Sequence, residues 1–544
     1  MPLLTGAEAI LKSLQAHGVK TIFGLPGGQM DHFFDAMYNA GDAIQCIHSR
    51  HEQGAAYMAF GYARSTGRTG VYTVVPGPGV LNTTAALCTA YACNAPVLCL
   101  TGQIPSEGIG SGRGYLHEIP DQLATLRTLT KCSDRIGRPE DAPFSVASAM
   151  QAMRTGRTRP VSLEMAMDVM GRQAEVNLLD PKSVSQTEPS ADAIEQAANL
   201  IAGAERPLIV VGGGAIEAHQ SVRRLAELLQ APVTAFRSGR GVVSDRHPLS
   251  ATYPVGYELW KTADVIIAIG TRLMDQSLSW GFSPDMKLVR IDIDPEEFAR
   301  AHPPDVAVEA DAGLALGALL PALRDRIDQR PSRAADVAQA RALVDGDLRQ
   351  NLAPQLAYLQ VLRDFLPDDG ILVDEITQVG FASWFAFPVY APRTLITCGY
   401  QGTLGYGLAT ALGVKVANPD KEVVSISGDG GFMFNVQELA TAAQYGIELT
   451  IIVFNNNLYE NVRRQQREWF GERYIASALK NPDFVALAKS FDIAAFRAAS
   501  PETLAQALER ARNTRGPRLI EVSIGEMPTP WRYIIRPRAR GAQQ

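Results

Sequence analysis

Residues 428–456 read GDGGFMFNVQELATAAQYGIELTIIVFNN, a Gly-Asp-Gly turn and an Asn pair that enclose one folding unit. The segment EVVSIS (422–427) before the turn is apolar and β-branched, which is typical of a buried parallel strand. After the turn, small and apolar residues recur at helical spacing: Val436, Leu439, Ala440 and Ala443. ELTIIVF (448–454) then has the composition of a second strand. This order predicts a βαβ unit with polar residues after both strands, at the sheet edge where ligands bind.

The residue types at the two ends of this unit suit a divalent cation and a diphosphate. Asp429 offers a carboxylate and Asn456 an amide oxygen, and Mg²⁺ accepts such ligands while keeping positions for water and phosphate oxygens. Glycine allows a close approach of the backbone to a diphosphate, and the turn carries Gly428, Gly430 and Gly431. A lone Gly-Asp-Gly is typical of a plain turn. Here, however, the Asn pair follows after 24 intervening residues, just past the next strand.

Length and composition indicate a multidomain globular enzyme. A chain of 544 residues is too long for one hydrophobic core. Its net charge of -6 gives no indication of nucleic-acid binding, and no apolar run is long enough for a membrane span. Six scattered cysteines without a CxxC pair favour free thiols in a reducing cytoplasm.

The βαβ pattern recurs in three regions, residues 1–180, 190–330 and 355–525, followed by a tail over 526–544. Strands that alternate with helices predict an α/β fold of three doubly wound parallel-sheet domains. The first and third regions have the pattern of distant copies. Residues 71–102 repeat the strand, glycine turn, helix and strand of residues 422–456, which we call the GDG unit. The tail is basic at its end, and we expect it to be mobile.

The spacing of the Gly-Asp-Gly turn and the Asn pair resembles the thiamine-diphosphate signature of the acetolactate synthase and 2-oxo-acid decarboxylase superfamily. The resemblance covers nearly the whole chain and is to the acetolactate synthase large subunit. It implies a pyrimidine-binding domain, a middle domain and a diphosphate-binding domain. It also implies that Asp429, the Asn456 side chain and the Leu458 carbonyl hold Mg²⁺ on the diphosphate, with Tyr459 beside the cofactor.

Activation of thiamine diphosphate requires a carboxyl group hydrogen-bonded to its pyrimidine ring, so that a ylide can form. SRHEQGAAYMAFGYAR (49–64) closely matches the stretch that carries this carboxylate in the superfamily. The resemblance therefore implies that Glu52 is the activating acid. Considered alone, a glutamate at this place would more simply stabilise a helix N-terminus.

Other segments resemble the cofactor loops of the superfamily. Leu404 has the place of the apolar residue that wedges the cofactor into its bent form, although a leucine in a Gly-rich turn is by itself typical of packing. Phe381 and Ala382 replace a polar pair of acetolactate synthases, so only backbone contacts carry over there. The further residues implied to contact the cofactor are Pro26, Asn82, Gly380, Gly402 and Thr403.

The substrate side agrees with the acetolactate synthase pattern at Gly28 and departs from it further along the chain. Acetolactate synthases have Gly at this position, which leaves room for a second substrate, whereas simple decarboxylases have a polar or acidic residue there; Gln29 can offer a hydrogen bond. His117 in GYLHEIPDQ (114–122) is either a proton shuttle or a structural histidine. Glu460 and Gln465 replace a Gly and a Trp that follow the Asn pair in acetolactate synthases, which indicates a different acceptor or donor.

The resemblance implies a carboligase for a small-molecule 2-oxo acid or diketone that forms an enamine and transfers it to a carbonyl acceptor. The alternatives are a non-oxidative 2-oxo-acid decarboxylase, a 1,2-diketone C–C hydrolase and a flavin-linked oxidase. FAD is left open, because Asp292 or Asp294 could accept a ribose hydroxyl while TYPVGYELW (252–260) replaces the synthase's Gly-rich stretch. The site resembles ones shared between two chains, so we expect at least a homodimer and favour a homotetramer.

Overall fold

The GDG unit has the expected order of elements in the computed structural model, which describes residues 1–541. Its first strand ends at Gly428, Asp429 begins a short helix, and the second strand ends at Asn455. The unit lies in the last of three α/β domains, each of which is built on a six-stranded sheet.

The elements of the N-terminal domain are β1 Leu3–Thr5, α1 Gly6–Ala16, β2 Thr21–Gly24, α2 Asp31–Ala40, β3 Gln45–His48, α3 Glu52–Thr66, β4 Gly70–Val74, α4 Pro78–Asn82, α5 Thr84–Ala92, β5 Val97–Gln103, α6 Gln122–Arg127, β6 Ser133–Ile136, α7 Ala142–Arg154, β7 Val161–Ala166, α8 Met167–Gly171 and β8 Gln173–Glu175. Those of the central domain are α9 Ala191–Ala202, β9 Leu208–Val211, α10 His219–Leu229, β10 Val233–Ala235, β11 Ser250–Ala251, α11 Tyr253–Trp260, β12 Val265–Ile269, β13 Lys287–Asp292, α12 Glu297–Arg300, β14 Val306–Glu309 and α13 Ala312–Arg324. A connecting helix, α14 Ala334–Asn351, follows.

The elements of the C-terminal domain are α15 Ala353–Phe365, β15 Ile371–Val373, α16 Gln378–Ala386, β16 Leu395–Ile396, α17 Gly407–Ala417, β17 Val423–Gly428, α18 Asp429–Phe432, α19 Glu438–Gln444, β18 Thr450–Asn455, α20 Glu460–Phe470, α21 Phe484–Ser490, β19 Ala494–Ala498, α22 Pro501–Arg512, β20 Arg518–Ser523 and α23 Trp531–Ile534.

Strand order shows that the first and third sheets have one topology. The N-terminal sheet runs β3-β2-β4-β5-β7-β6 and the C-terminal sheet β16-β15-β17-β18-β20-β19, with parallel pairing throughout. Numbered within its own domain, each order is 2-1-3-4-6-5, as the repeated sequence pattern predicts. The central sheet, β11-β10-β9-β12-β13-β14, has instead the doubly wound order 3-2-1-4-5-6.

In each sheet later strands are added on both sides of the first strand, and ligands bind outside the carboxyl ends of the strands at this switch point. This crevice lies between β2 and β4 in the first sheet, between β9 and β12 in the second, and between β15 and β17 in the third. The loops that begin at Gly24, Val74, Val373 and Gly428 therefore border the two crevices of the first and third sheets.

The N- and C-terminal domains are joined through α3 and α17, which share one hydrophobic core. The helices cross where Gly61 faces Thr410 and Gly413 faces Met58. A Cβ atom at either glycine would overlap the carbonyl oxygen of the facing residue. Glycine is therefore required at this crossing for the two backbones to approach so closely.

The expectation of a mobile tail is wrong for the part that the structure describes. Trp531 packs against Phe381, and Tyr533 is buried. The backbone N–H of Ala539 donates to the carbonyl of Trp280 at 2.8 Å. Two aromatic side chains thus pack this segment against the rest of the protein despite its basic end. Residues 542–544 lie outside the described range. Within that range no helix is long and apolar enough to cross a membrane.

Candidate active site

Asp429 is buried at the N-terminus of α18 and lies within a group of asparagines. The Asn481 amide nitrogen lies 2.7 Å from Asp429 Oδ2, 3.1 Å from Asn455 Oδ1 and 3.2 Å from Asn457 Oδ1. Burial raises the pKa of Asp429, while hydrogen bonds from Gly430 and Asn481 act in the opposite direction. Three oxygen atoms from two turns thus converge at one place, and sequence reasoning identified only one of these four residues.

Asn456 is oriented by its neighbours rather than by Asp429. Its Oδ1 accepts the Leu458 backbone N–H at 3.2 Å, and its amide donates to Glu460 at 2.7 Å. Glu460 also accepts the backbone N–H of Met527, and burial raises the pKa of its carboxyl group. The glutamate that departs from the acetolactate synthase pattern therefore fixes the asparagine that the pattern predicts as a cation ligand.

The Gly-Asp-Gly turn is closely covered on one side. A Cβ at Gly430 would overlap the ring of Tyr459 and lie 3.1 Å from Leu479 Cδ1, so glycine is needed at this position. On the other side, a Cβ at Gly428 would lie 3.7 Å from Thr377 Cβ, whereas a Cβ at Gly431 would overlap Glu375 Oε1 and lie 3.6 Å from Leu404 Cδ2. Leu404 and the start of α16 therefore both border the turn.

Helix α16 presents its N-terminus to the turn. The Thr377 hydroxyl caps it by accepting the Val379 N–H at 3.2 Å. The side chains of Phe381 and Ala382 are buried in the apolar core. Gly380 packs so closely on the Glu375 carbonyl that a Cβ would overlap it. The Phe381 N–H already donates to the Thr377 carbonyl at 2.8 Å, and the Ala382 N–H lies within the helical ladder. Of residues 380–382, the Gly380 N–H is therefore the group left to meet a ligand, and an N–H at a helix N-terminus suits a phosphate.

The Glu375 carboxylate holds the loop that carries Leu404 through hydrogen bonds. The sequence did not indicate this role. Its carboxylate accepts the Gly405 N–H at 2.6 Å and the Ser427 hydroxyl at 2.7 Å. Burial raises its pKa to about 7. The loop itself needs glycine at 402 and 405, where φ is 60° and 80°. Thr403 fastens it to the N-terminal domain through Thr89, with 3.1 Å between their hydroxyl oxygens.

Glu52 is the first residue of α3 and lies at the carboxyl edge of the N-terminal sheet. Its Oε2 accepts the Asn82 side-chain amide at 3.0 Å, and its Oε1 lies 3.7 Å from the Cβ position of Gly79. The structure thus joins two residues that were predicted from separate segments. Among the described residues, no hydrogen bond or ion pair joins Glu52 to Asp429.

Gln29 and His117 form a second pair beside this edge. Gln29 Nε2 donates to the Leu116 carbonyl at 2.8 Å, and its Oε1 lies 2.6 Å from His117 Nδ1. Because Leu116 offers only an acceptor, the amide orientation is fixed and His117 Nδ1 must carry the proton. Neutral His117 then has an unprotonated Nε2. Both residues have a left-handed backbone, with φ of 69° and 68°.

Gly28 and Pro26 are exposed in the loop after β2. A Cβ at Gly28 would meet only Leu116 Cδ2, at 3.8 Å, so the space beside this glycine is open. Below the loop, the Gln122 side chain accepts the Gly77 N–H at 2.8 Å and donates to buried Glu164 at 2.8 Å. This buried pair is a further support that sequence reasoning missed, since Glu164 lies outside the matched segments and Gln122, the last residue of GYLHEIPDQ, was given no role there.

Comparison with known proteins matches all three domains to one family. The N-terminal TPP binding domain of thiamine pyrophosphate enzymes matches residues 4–125, the central domain 194–319, and the C-terminal TPP binding domain 375–522. The chain belongs to the thiamine pyrophosphate enzyme family.

Curated relatives narrow the group within this family. A probable acetolactate synthase large subunit of Methanocaldococcus jannaschii is 36% identical, over 96% of this chain and 92% of its own length. The acetolactate synthase isozyme 2 large subunit of Escherichia coli K12 is 34% identical, over 98% and 97%. A probable 2-ketoarginine decarboxylase of Pseudomonas aeruginosa is 32% identical, over 95% and 94%. This protein is thus an acetolactate synthase-like thiamine pyrophosphate enzyme.

The donor atoms around Asp429 fit the cation that accompanies a diphosphate. Asp429 supplies a carboxylate, and Asn455 and Asn457 supply amide oxygens around the Asn481 amide, which suits a hard ion that also binds phosphate oxygens and water. The structure does not bring the Asn456 oxygen into this group, since it accepts the Leu458 N–H. Among the residues that the structure describes, no three His, Cys, Asp or Glu side chains form a group that could hold a metal. A cysteine and histidine site of the zinc type is therefore absent from that part of the chain.

The central domain of this thiamine pyrophosphate enzyme has a cavity of about 790 Å³ at its crevice, lined by the Gly212–Gly214 turn among others. Small-molecule sites commonly have about 300–1,000 Å³. Arg157 from the N-terminal domain lies 2.8 Å from Glu297, 3.3 Å from Asp294 and 4.0 Å from Asp292. The two aspartates considered for a ribose hydroxyl therefore already face a cation.

Proposed function

We propose that this protein is a Mg²⁺-dependent thiamine diphosphate enzyme that cleaves a 2-oxo acid or 1,2-diketone and transfers the fragment to a carbonyl acceptor. The observation that carries this proposal is the Glu52–Asn82 pair at the edge of one sheet, together with the Asp429 group at the same edge of its topological copy. An activating acid and a cation site are thus both intact, which argues against a non-catalytic paralogue.

In the proposed site, Asp429, Asn456 and the Leu458 carbonyl would hold Mg²⁺, and the backbone at Gly380 and in the turn 428–431 would receive the diphosphate. Thiamine diphosphate supplies the electron sink for the C–C bond cleavage. Glu52 holds a proton at the pyrimidine ring, and the Asn82 amide keeps its carboxylate in place. Leu404, whose loop is held by the Gly405 N–H that donates to Glu375, would contact the cofactor.

The open space beside Gly28 supports transfer to a second substrate, because a carbonyl acceptor needs room next to the reacting carbon. His117, with Nε2 unprotonated in its neutral form, would take the hydroxyl proton of the donor fragment as the product leaves and give it to the alkoxide that forms from the acceptor carbonyl. Gln29 holds the imidazole in this tautomer.

A non-oxidative 2-oxo-acid decarboxylase is the second candidate. It is favoured by the same histidine, because protonation of the reacting carbon by His117 would release an aldehyde instead of a ligated product. The 2-ketoarginine decarboxylase among the relatives is consistent with this outcome. The diketone C–C hydrolase is the third outcome, in which water takes the place of the acceptor.

We further propose that the working unit is at least a homodimer, with a homotetramer favoured. Large apolar side chains are exposed on both halves of the candidate site, and apolar surface of this kind marks an interface. They are Leu81, Leu116, Met433, Phe434, Val462, Trp469, Phe470, Tyr474 and Ile475.

A cytoplasmic location is proposed from the free state of all six cysteines. FAD in the central cavity stays a prediction and has a simple test. Flavin bound to the purified protein would give a yellow colour and a flavin absorbance spectrum. Their absence after saturation with FAD would contradict a flavin-linked oxidase.

The proposed function is tested with Mg²⁺, thiamine diphosphate and a panel of 2-oxo acids and 1,2-diketones, with and without carbonyl acceptors. Products identified by mass distinguish ligation, decarboxylation and hydrolysis. We expect ligated products that disappear in Glu52→Gln. Free aldehyde as the sole product from every 2-oxo acid would contradict the carboligase, and full turnover by Glu52→Gln would contradict the role of Glu52.

A further inference from the structure

Glu438, the first residue of α19, places a buried carboxylate against the segment that precedes Glu52. Its Oε1 accepts the backbone N–H groups of Arg50 and His51, both at 3.1 Å. Its Oε2 accepts the Thr441 hydroxyl at 2.6 Å. A side chain of the GDG unit in the C-terminal domain thus holds the backbone at the beginning of α3 in the N-terminal domain.

Neighbouring contacts fasten the same segment to the same unit. The Tyr445 hydroxyl lies 2.7 Å from His48 Nδ1 and accepts the His48 N–H at 3.1 Å. The Asn435 amide donates to Gln53 at 3.1 Å. Because contacts lie on both sides of Glu52 in the sequence, the segment 48–53 is fixed along its length.

The fit around the Glu438 carboxylate leaves no free space. A Cβ at Gly54, in the first turn of α3, would overlap Glu438 Oε1. The carboxylate therefore lies directly under that turn, where Glu52 is the first helical residue. Short contacts of this kind transmit a small displacement of one group to the next.

We propose that Glu438 is a positioning residue that sets the place of the Glu52 carboxylate by holding the Arg50 and His51 N–H groups from within the same chain. This inference rests on the proposed activating role of Glu52. The GDG unit would then have two roles. Its ends carry Asp429 and Asn456, the proposed cation ligands, and its helix α19 positions Glu52, the proposed activating acid.

The charge of Glu438 makes this positioning dependent on pH. Burial raises its pKa to about 7, while the hydrogen bonds from Thr441, Arg50 and His51 act in the opposite direction. The titratable and charged groups beside it are Arg50, His48 and His51 on the facing segment, Glu52 on α3 and Tyr445 on its own unit. Protonation replaces an acceptor by an O–H group and so weakens the hold on the two backbone N–H groups.

The test measures hydrogen–deuterium exchange at the reactive carbon of bound thiamine diphosphate, in holoenzyme without substrate. We expect Glu438→Gln to lower the exchange rate roughly tenfold above about pH 7, because a neutral amide oxygen accepts the two backbone N–H groups more weakly than a charged carboxylate does. We also expect it to flatten the pH profile near pH 7 while cofactor affinity and Tm stay close to wild type. Glu448→Gln is the matched control, an exposed glutamate of the same unit, and should behave as wild type.

An unchanged exchange rate and pH profile in Glu438→Gln would overturn the inference, and so would a loss of exchange that merely parallels lost cofactor affinity and Tm. If Glu438→Gln does not fold, Thr441→Val is measured by the same criteria, since it removes one hydrogen bond to the carboxylate. Glu52→Gln separates the two proposals. Full exchange in Glu52→Gln refutes the proposed role of Glu52, whereas lost exchange there with normal exchange in Glu438→Gln refutes only the role of Glu438.

Discussion

At the scale of single residues, buried carboxyl groups are concentrated near the carboxyl edge of the C-terminal sheet. Burial raises the pKa of Asp374, Glu375 and Glu438 to about 7. Each has hydrogen-bond donors around it, such as Tyr406 and Trp384 beside Asp374. These groups support loops of the candidate site, so the site is held by carboxyl groups that titrate near physiological pH.

Glu375→Gln should change how stability depends on pH. Because the folded pKa of Glu375, about 7, exceeds that of a free glutamate, its contribution to stability is complete at low pH and is lost as the pH rises through 7. The glutamine variant lacks this loss. The Tm difference between variant and wild type should therefore shift in favour of the variant between about pH 5 and about pH 8.

Thermal melts at several pH values check this expectation. Glu472→Gln, at an exposed position, should keep a constant Tm difference from wild type over the same range. A constant difference in Glu375→Gln as well would mean that Glu375 does not titrate in the folded protein in this range.

Asn481→Ala should weaken Mg²⁺-dependent binding of thiamine diphosphate about tenfold, as the loss of an outer-shell partner commonly does. The reason is that the Asn481 amide holds Asp429 together with Asn455 and Asn457. Binding is measured by calorimetric titration at fixed Mg²⁺. Asn513→Ala on the surface is the matched control. Wild-type affinity in Asn481→Ala would contradict the role of this amide.

At the scale of elements, the sequence predicted the parts with a clear pattern. β17 and β18 were evident because buried parallel strands form continuous apolar runs, and α3 was evident from its matched segment. Asn481 could not be found, because it reaches Asp429 only when the chain after α20 folds back along residues 457–459. Two contacts join the returning segment to residues 457–459. They are the β-bridge between Leu458 and Ala478 and the hydrogen bond from the Leu479 N–H to the Asn457 carbonyl.

Contacts between distant segments were equally beyond the sequence. Glu438 and Arg50 are 388 positions apart, and no local sequence pattern around either residue predicts that they are in contact. The basic tail was misjudged because charge suggested solvation, whereas Trp531 and Tyr533 decide its packing. Local patterns thus predict elements and a familiar motif, while the supports of the site depend on tertiary proximity.

Gly413→Ala tests the crossing of α3 and α17. A Cβ there would overlap the Met58 carbonyl, and overpacking of this kind costs about 1–3 kcal/mol, so Tm should fall by several degrees. Gly346→Ala in α14 is the control, because open space surrounds that helical glycine. Alanine there should raise stability by up to about 1 kcal/mol. Equal Tm values for Gly413→Ala and wild type would show that the two helices can move apart at little cost in stability.

At the scale of the whole molecule, Glu52 and Asp429 lie at the carboxyl edges of two sheets with one topology, yet no hydrogen bond joins them among the described residues. Exposed apolar side chains flank both halves in the sequence, Leu81 beside Asn82 and Met433 and Phe434 after the turn. Two identical chains related by a two-fold axis could complete each other's sites, since such an interface brings the same surfaces together twice.

Mixing two inactive variants tests this arrangement. Suppose that each site takes Glu52 from one chain and Asp429 from the other. A heterodimer of Glu52→Gln and Asp429→Asn then contains one intact site and one doubly altered site. Random association makes half of the dimers heterodimers, so co-expression should restore roughly a quarter of wild-type turnover. Turnover is measured per total protein on the unseparated mixture, purified through one tag that both chains carry. If both residues act within one chain, every site in the mixture lacks one of them, and turnover stays at the level of the separate variants.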